Sequence, residues 1–105
     1  MDLCRYKKRA IKKKIDFNLT AEWVKEKLSL GLCVVTGIPF KTEPNNSAIN
    51  PYLPSVDRVD SKKGYTEDNC QLVIVAFNNL KSNNTSKETL DFCRGFVKYY
   101  EDLLE

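Results

Sequence analysis

An α+β fold is predicted for this 105-residue chain by three observations. Two stretches, residues 17–31 and 85–105, repeat apolar side chains at helical spacing behind residues that cap helices. Between them, residues 55–60 alternate apolar and polar positions, and residues 70–77 form an apolar run rich in β-branched side chains. Turn-forming residues then separate these segments, giving the order helix, hairpin, loop, strand, turn, strand, helix, helix. The order contains no internal repeat, and 12.1 kDa suffices for one modest core.

In the first helical stretch, FNLTAEWVKEKLSLG, Thr20 is placed to cap, Glu22 favours the positive end of the helix dipole and Gly31 ends the run. Ala21, Val24 and Leu28 share one face with Trp23 beside them, which marks core rather than a base-stacking aromatic. LCVVTGIPF at 32–40 is β-rich, with Thr36-Gly37 as a tight turn. The polar, proline-containing residues 41–54 form a loop of a length that is often functional in a small domain, or merely a site of variation. SVDRVD reads as a short strand, SKKGYTED as a turn, and CQLVIVAF as a strand passing into a helix that carries NNLK. In the terminal helix Thr85 and Glu88 form a capping box. Its apolar stripe, Leu90, Cys93, Val97, Tyr100 and Leu104, widened by Phe92, Phe96, Tyr99 and Leu103, predicts core packing or a homodimer seam.

Charge is unevenly distributed. The net charge is +3, yet residues 1–14 hold Arg5, Lys7, Lys8, Arg9, Lys12, Lys13 and Lys14 against Asp2 alone, a local +6 that leaves −3 for the other 91 residues. This predicts a basic N-terminal arm at 1–14 ahead of a single domain at 15–105. Such an arm fits a polyanionic partner, since lysines on phosphates release condensed counterions. A solvated tail that aids solubility is the alternative. The longest apolar run, residues 72–77, is too short to span a bilayer. No apolar signal region follows the charged start, so an intracellular location is expected. Cys4, Cys33, Cys70 and Cys93 lie 29, 37 and 23 residues apart. With no CxxC pair and no histidine, they read as buried free thiols rather than as a zinc set or a disulfide framework.

Three motifs in register carry a resemblance. Cys33-Val34-Val35-Thr36-Gly37-Ile38-Pro39 follows C-x-x-T-G-x-P. Residues 55–69 follow S-x-D-R-x-D-x-x-K-G-Y-T-x-x-N, and Asn78-Asn79-Leu80-Lys81 follows N-x-x-K. Across residues 32–81 the chain resembles the HNH endonucleases of the His-Me finger (ββα-metal) superfamily, in particular a small phage and bacterial subgroup. The resemblance implies a treble-clef-like ββα core flanked by N- and C-terminal helices. It also implies a metal-dependent nuclease acting on DNA in the cytoplasm, that of the bacterial host if the chain is phage-encoded. Asp57 matches the carboxylate ligand and Asn78 the second ligand of a Mg²⁺ or Mn²⁺ ion. Asn69 matches the asparagine that orients loop and base. Gly64 falls in the turn, where a positive φ is expected, and Tyr65 and Val59 pack. Lys62, Lys63, Lys81 and the basic arm are expected to grip the phosphate backbone.

Two positions depart from the pattern. Thr36 stands where relatives carry the second cysteine of a zinc knuckle, so no structural zinc is expected. Apolar packing from Cys33, Val35, Ile38, Val73 and Val75 must replace it. Arg58 stands where better-known members carry the histidine that activates water, and arginine stays protonated. General-base help is typically worth about 10²–10⁴ in rate. Slow cleavage therefore remains open, with Asp60 or solvent taking the proton and Arg58 clamping phosphate. So do binding of nucleic acid without cutting, and a missing group supplied by a partner. The plainest alternative makes Asp57 and Arg58 an ion pair and Asn69 a turn cap.

Overall fold

The computed structural model describes residues 1–43 and 50–104, which form an α+β fold of four helices and one two-stranded antiparallel sheet. Helix α1 spans Cys4–Lys13, α2 Ala21–Leu28, β1 Pro54–Arg58, β2 Cys70–Ile74, α3 Val75–Lys81 and α4 Ser86–Leu104. The central residues of the 41–54 loop, 44–49, lie outside the described residues.

The basic segment is not an arm apart from the domain. It is helix α1, and Tyr6 and Ala10, one turn apart, enter the same core as Leu19, Trp23, Val24, Val56, Tyr65 and Leu72. Burial of that apolar face overrides the repulsion among the lysines, which project to the other sides. Lys14 closes the helix in the left-handed conformation at φ 57°. Its N–H donates to Ile11 O (3.2 Å) and that of Ile15 to Ala10 O (3.0 Å), a Schellman closure without the usual glycine. Helix α2 starts as the sequence predicts, with Thr20 Oγ1 accepting from Trp23 N–H at 3.1 Å, and Trp23 is buried core.

Residues 32–40 do not form the expected hairpin. They make a single bridge, Leu32 to Pro39, around a knuckle in which Gly37 N–H donates to Cys33 O (2.8 Å) and Cys33 N–H to Ile38 O (2.8 Å). Gly37 needs its freedom here, at φ 73°. Thr36 N–H donates to Cys33 Sγ at 3.5 Å. Cys33 and Val73 are fully buried, whereas Val35 and Ile38, expected in the core, are exposed. Among the thiols Cys33 and Cys70 are buried, Cys93 is half-buried and Cys4, contrary to expectation, is exposed.

The sheet runs Pro54↔Ile74 through Arg58↔Cys70. Leu72 faces the α1–α2 core and Val73 a smaller cluster with Cys33, Ile74 and Phe77. Burial on both faces explains why β2 is a continuous apolar run. The free edge of β1 is closed by side chains. Val56 N–H donates to Tyr6 Oη (3.2 Å), and Val56 O accepts from Asn78 Nδ2 (3.1 Å). The first amides of α3 are satisfied by the end of the preceding loop, Val75 N–H on Leu53 O (2.9 Å) and Ala76 N–H on Pro51 O (3.0 Å).

Helix α4 opens on the predicted capping box, with Glu88 N–H on Thr85 Oγ1 (3.0 Å) and Thr85 N–H on Glu88 Oε1 (2.8 Å). Among the described residues, its apolar stripe does not pack into the core. Thr89 is buried, but Leu90, Phe92, Phe96, Val97, Tyr99, Tyr100, Leu103 and Leu104 are exposed. No helix among the described residues is long and apolar enough to cross a membrane.

Candidate functional site

A cleft of about 620 Å³ opens between α1, the end of β1 and α3. Arg9, Lys12 and Lys13 line one wall, Asp57 and Arg58 the floor, and Asn78 and Asn79 the other wall, continued by Ser82 and Asn83. Three predicted site residues, Asp57, Arg58 and Asn78, therefore meet at one cleft, and part of the basic segment joins them. Lys62 and Lys63 are exposed on the turn outside it, and Arg5, Lys7, Lys8 and Lys14 are not among its lining residues. The amides of Asn79 and Asn83 are not singled out by the sequence motifs, although the run NNLKSNN is visibly amide-rich.

The turn after β1 holds Arg58 and Asn69 to structural tasks. Asn69 is buried, and its Oδ1 accepts from Asp60 N–H (3.0 Å) while its Nδ2 donates to Asp60 O (3.0 Å) and Gly64 O (2.9 Å). It cross-links the turn and lies away from the cleft. Arg58 Nη1 donates to Ser61 O (2.8 Å) and Lys63 O (3.0 Å), and its guanidinium lies 4.8 Å from the centroid of Tyr65. Tyr65 in turn packs against Tyr6 at 5.6 Å, with Arg9 on the Tyr6 ring at 5.7 Å. A cation–aromatic–aromatic–cation stack thus runs from the turn to α1 and sets the cleft wall. Asp60 Oδ1 accepts from Lys62 N–H at 2.9 Å, so this carboxylate caps the turn. Val59, expected to pack, is exposed.

Gly64 is essential for a different reason from the one expected. Its φ is not positive. A Cβ there would lie 2.5 Å from the carbonyl oxygen and 2.8 Å from the nitrogen of Asp16, because the chain at 16–18 runs directly against 64–66. Tyr65 N–H donates to Asp16 O (2.8 Å) and Asn18 N–H to Tyr65 O (3.0 Å).

Asp57 and Lys81 decide the chemistry. Successive strand residues face opposite sides, so Asp57 turns toward α3 as Arg58 turns toward Tyr65. Lys81, one turn below Asn78 on α3, meets it with its ammonium 2.9 Å from Oδ1. The two side chains are 2% and 3% exposed. Lys81 Nζ also donates to Arg58 O and, at 3.3 Å, to Val59 O, so all three of its N–H groups are used. The other carboxylate oxygen, Oδ2, accepts from Gln71 Nε2 at 2.9 Å across the strand pair. Lys81 is therefore unable to grip phosphate as expected. The ion pair foreseen for Asp57 exists, but with Lys81 in place of Arg58. Asn78 directs its Nδ2 inward to Ser55 Oγ (2.7 Å) and Val56 O.

These donors do not fit Mg²⁺ or Mn²⁺ as arranged. A hard cation needs several free oxygens, and it must compete with an ammonium that already sits on its carboxylate ligand. Here Lys81 already neutralises the Asp57 carboxylate, and among the described residues no three of His, Cys, Asp and Glu form a metal-ligating group.

Among the described residues no cysteine lines the cleft. Burial pushes Cys70 up to about 12. At Cys33 burial acts in the same direction, but hydrogen bonds from Thr36 and from the Ile74 and Val35 amides outweigh it and the thiol falls below its ordinary value. Tyr6 is likewise lowered, burial being outweighed by bonds from Val56 N–H, Ser55 and Arg5 together with the Arg5 charge. In comparisons with known protein families, curated proteins and solved structures, the chain matches none.

Proposed function

We propose that the protein is a nucleic-acid-binding domain built on an HNH-like ββα core that grips the phosphate backbone without hydrolysing it. One observation carries this reading. The cleft that joins Arg9, Lys12 and Lys13 to Asp57, Arg58 and Asn78 has a cationic wall, while its carboxylate is already neutralised from behind by Lys81. The wall supplies charge for phosphates, and the amides of Asn79 and Asn83 opposite supply donors to phosphate and sugar oxygens. Such contacts position a strand without reading bases, so affinity is weakly sequence-dependent and falls steeply with salt.

Fluorescence anisotropy of a labelled duplex over a salt series tests the proposal. Binding should weaken linearly in log salt. Neutralising Arg9, Lys12 and Lys13 should flatten the slope by about 0.9 for every phosphate that the variant no longer engages. Binding that is absent at low salt, or unchanged in the triple variant, overturns it. Supercoiled plasmid with Mg²⁺ or Mn²⁺ separates it from its rival, the metal-dependent nuclease. Uncut plasmid is expected, and metal-dependent nicking abolished by Asp57→Ala and Asn78→Ala would establish the nuclease instead.

The exposed apolar face of α4 is where a second copy would pack. Sedimentation at rising concentration tests this homodimer: a dimer dissociated by Phe96→Ser and Tyr99→Ser supports it, and a monomer throughout removes it.

A further inference from the structure

Three oxygens converge on one point behind the cleft: Asp57 Oδ1 and the backbone carbonyls of Arg58 and Val59, all within reach of Lys81 Nζ. Carboxylate and carbonyl oxygens gathered around one positive centre are the surroundings a hard cation takes in a protein. The strand end supplies all three, through consecutive residues of a backbone pinned by Asn69 and Arg58 to the turn that follows. These bonds do not involve Lys81. Gln71, on the far carboxylate oxygen, holds Asp57 in the rotamer that aims Oδ1 inward.

We propose that this oxygen cage is a cation site whose permanent occupant is the chain's own Lys81 ammonium. The tethered cation supplies the positive charge that a free divalent ion would otherwise bring to Asp57. The folded protein is consequently indifferent to Mg²⁺, Ca²⁺ and chelator, and removing the ammonium leaves a vacant site for a small hard divalent cation, Ca²⁺ or Mg²⁺. An ammonium on a four-carbon stem is a compact point charge with three donors, which matches three acceptors as the planar fork of arginine would not. The inference is independent of whether the cleft holds nucleic acid.

Thermal melting in EDTA, MgCl₂ or CaCl₂ tests it on the full chain. Wild type should melt at the same temperature in all three. Lys81→Ala should melt lower in EDTA by more than about 10 °C, since it strands a buried carboxylate. Millimolar Ca²⁺ or Mg²⁺ should recover part of that loss saturably, and Lys81→Ala/Asp57→Asn should show no such recovery. A folded Lys81→Ala that does not respond to either cation overturns the proposal. Wild type supplies a second measurement should the variant fail to fold. Titrated Mn²⁺ should leave the amide NMR signals of Asp57, Arg58 and Val59 unbroadened. Selective broadening of those three would mean that a free metal displaces Lys81, which overturns the proposal equally.

Discussion

At Gly64 and at Asp57, single side-chain identities are dictated by neighbours far away in sequence. A methyl at position 64 would meet the main chain of residue 16, which is held there by the bond from Tyr65 N–H to Asp16 O and, two residues on, by that from Asn18 N–H to Tyr65 O. Gly64→Ala is therefore expected to cost about 3 kcal/mol, read as a lower urea midpoint at unchanged m-value. A loss under about 0.5 kcal/mol would show that the 16–18 segment yields. Asp57 and Lys81 are a buried pair, and breaking such a pair from one side leaves a bare charge in the interior. Asp57→Asn and Lys81→Met should each lose about 3–5 kcal/mol in urea denaturation, and the double variant should lose far less than their sum. Additive losses would mean the two charges are not coupled.

At the scale of elements, the helix ends decide local stability. Lys14 sits in the left-handed region that glycine enters without steric cost. Lys14→Gly is predicted to raise stability by about 0.5–1 kcal/mol, a gain that equilibrium unfolding at high salt separates from the removal of a charge. At the other end of the chain, the hydrogen bond from Thr85 N–H to Glu88 holds that carboxyl below its ordinary value of 4.5. A carboxyl depressed in the folded state stabilises above its unfolded pKa and loses the contribution as pH falls through the folded one. The helix signal of α4 should therefore weaken on acidification through the carboxylate range more in wild type than in Glu88→Gln. Identical acid profiles would remove the capping box from the account. These caps are legible in the sequence because each lies within a few residues of its partner. The knuckle at 32–40 reads as a hairpin by β-propensity alone, yet Cys33, Thr36 and Gly37 satisfy one another locally and no strand pairing forms beyond the single bridge.

At the scale of the molecule, α1 belongs to the domain's cooperative unit. Tyr6 buries its ring against Tyr65 and holds its hydroxyl on β1. Tyr6→Phe should leave the Val56 N–H buried and unpartnered at a cost of about 1–3 kcal/mol. Its amide exchange should then accelerate together with that of β2, and acceleration confined to α1 would count against one unit. By itself the sequence determined the α+β class, the caps of α2 and α4, the two strands and the turn between them, because these depend on short-range periodicity and capping. The resemblance carried by its motifs brought Asp57, Arg58, Asn69 and Asn78 forward as one candidate site, of which all but Asn69 line one cleft. Only the tertiary structure decided that the lysine run is a packed helix lining the same cleft, and that α4 leaves its apolar stripe uncovered. It alone paired Asp57 with Lys81, because a charge's partner depends on which side chain shares its buried volume, and a linear pattern does not encode that distance.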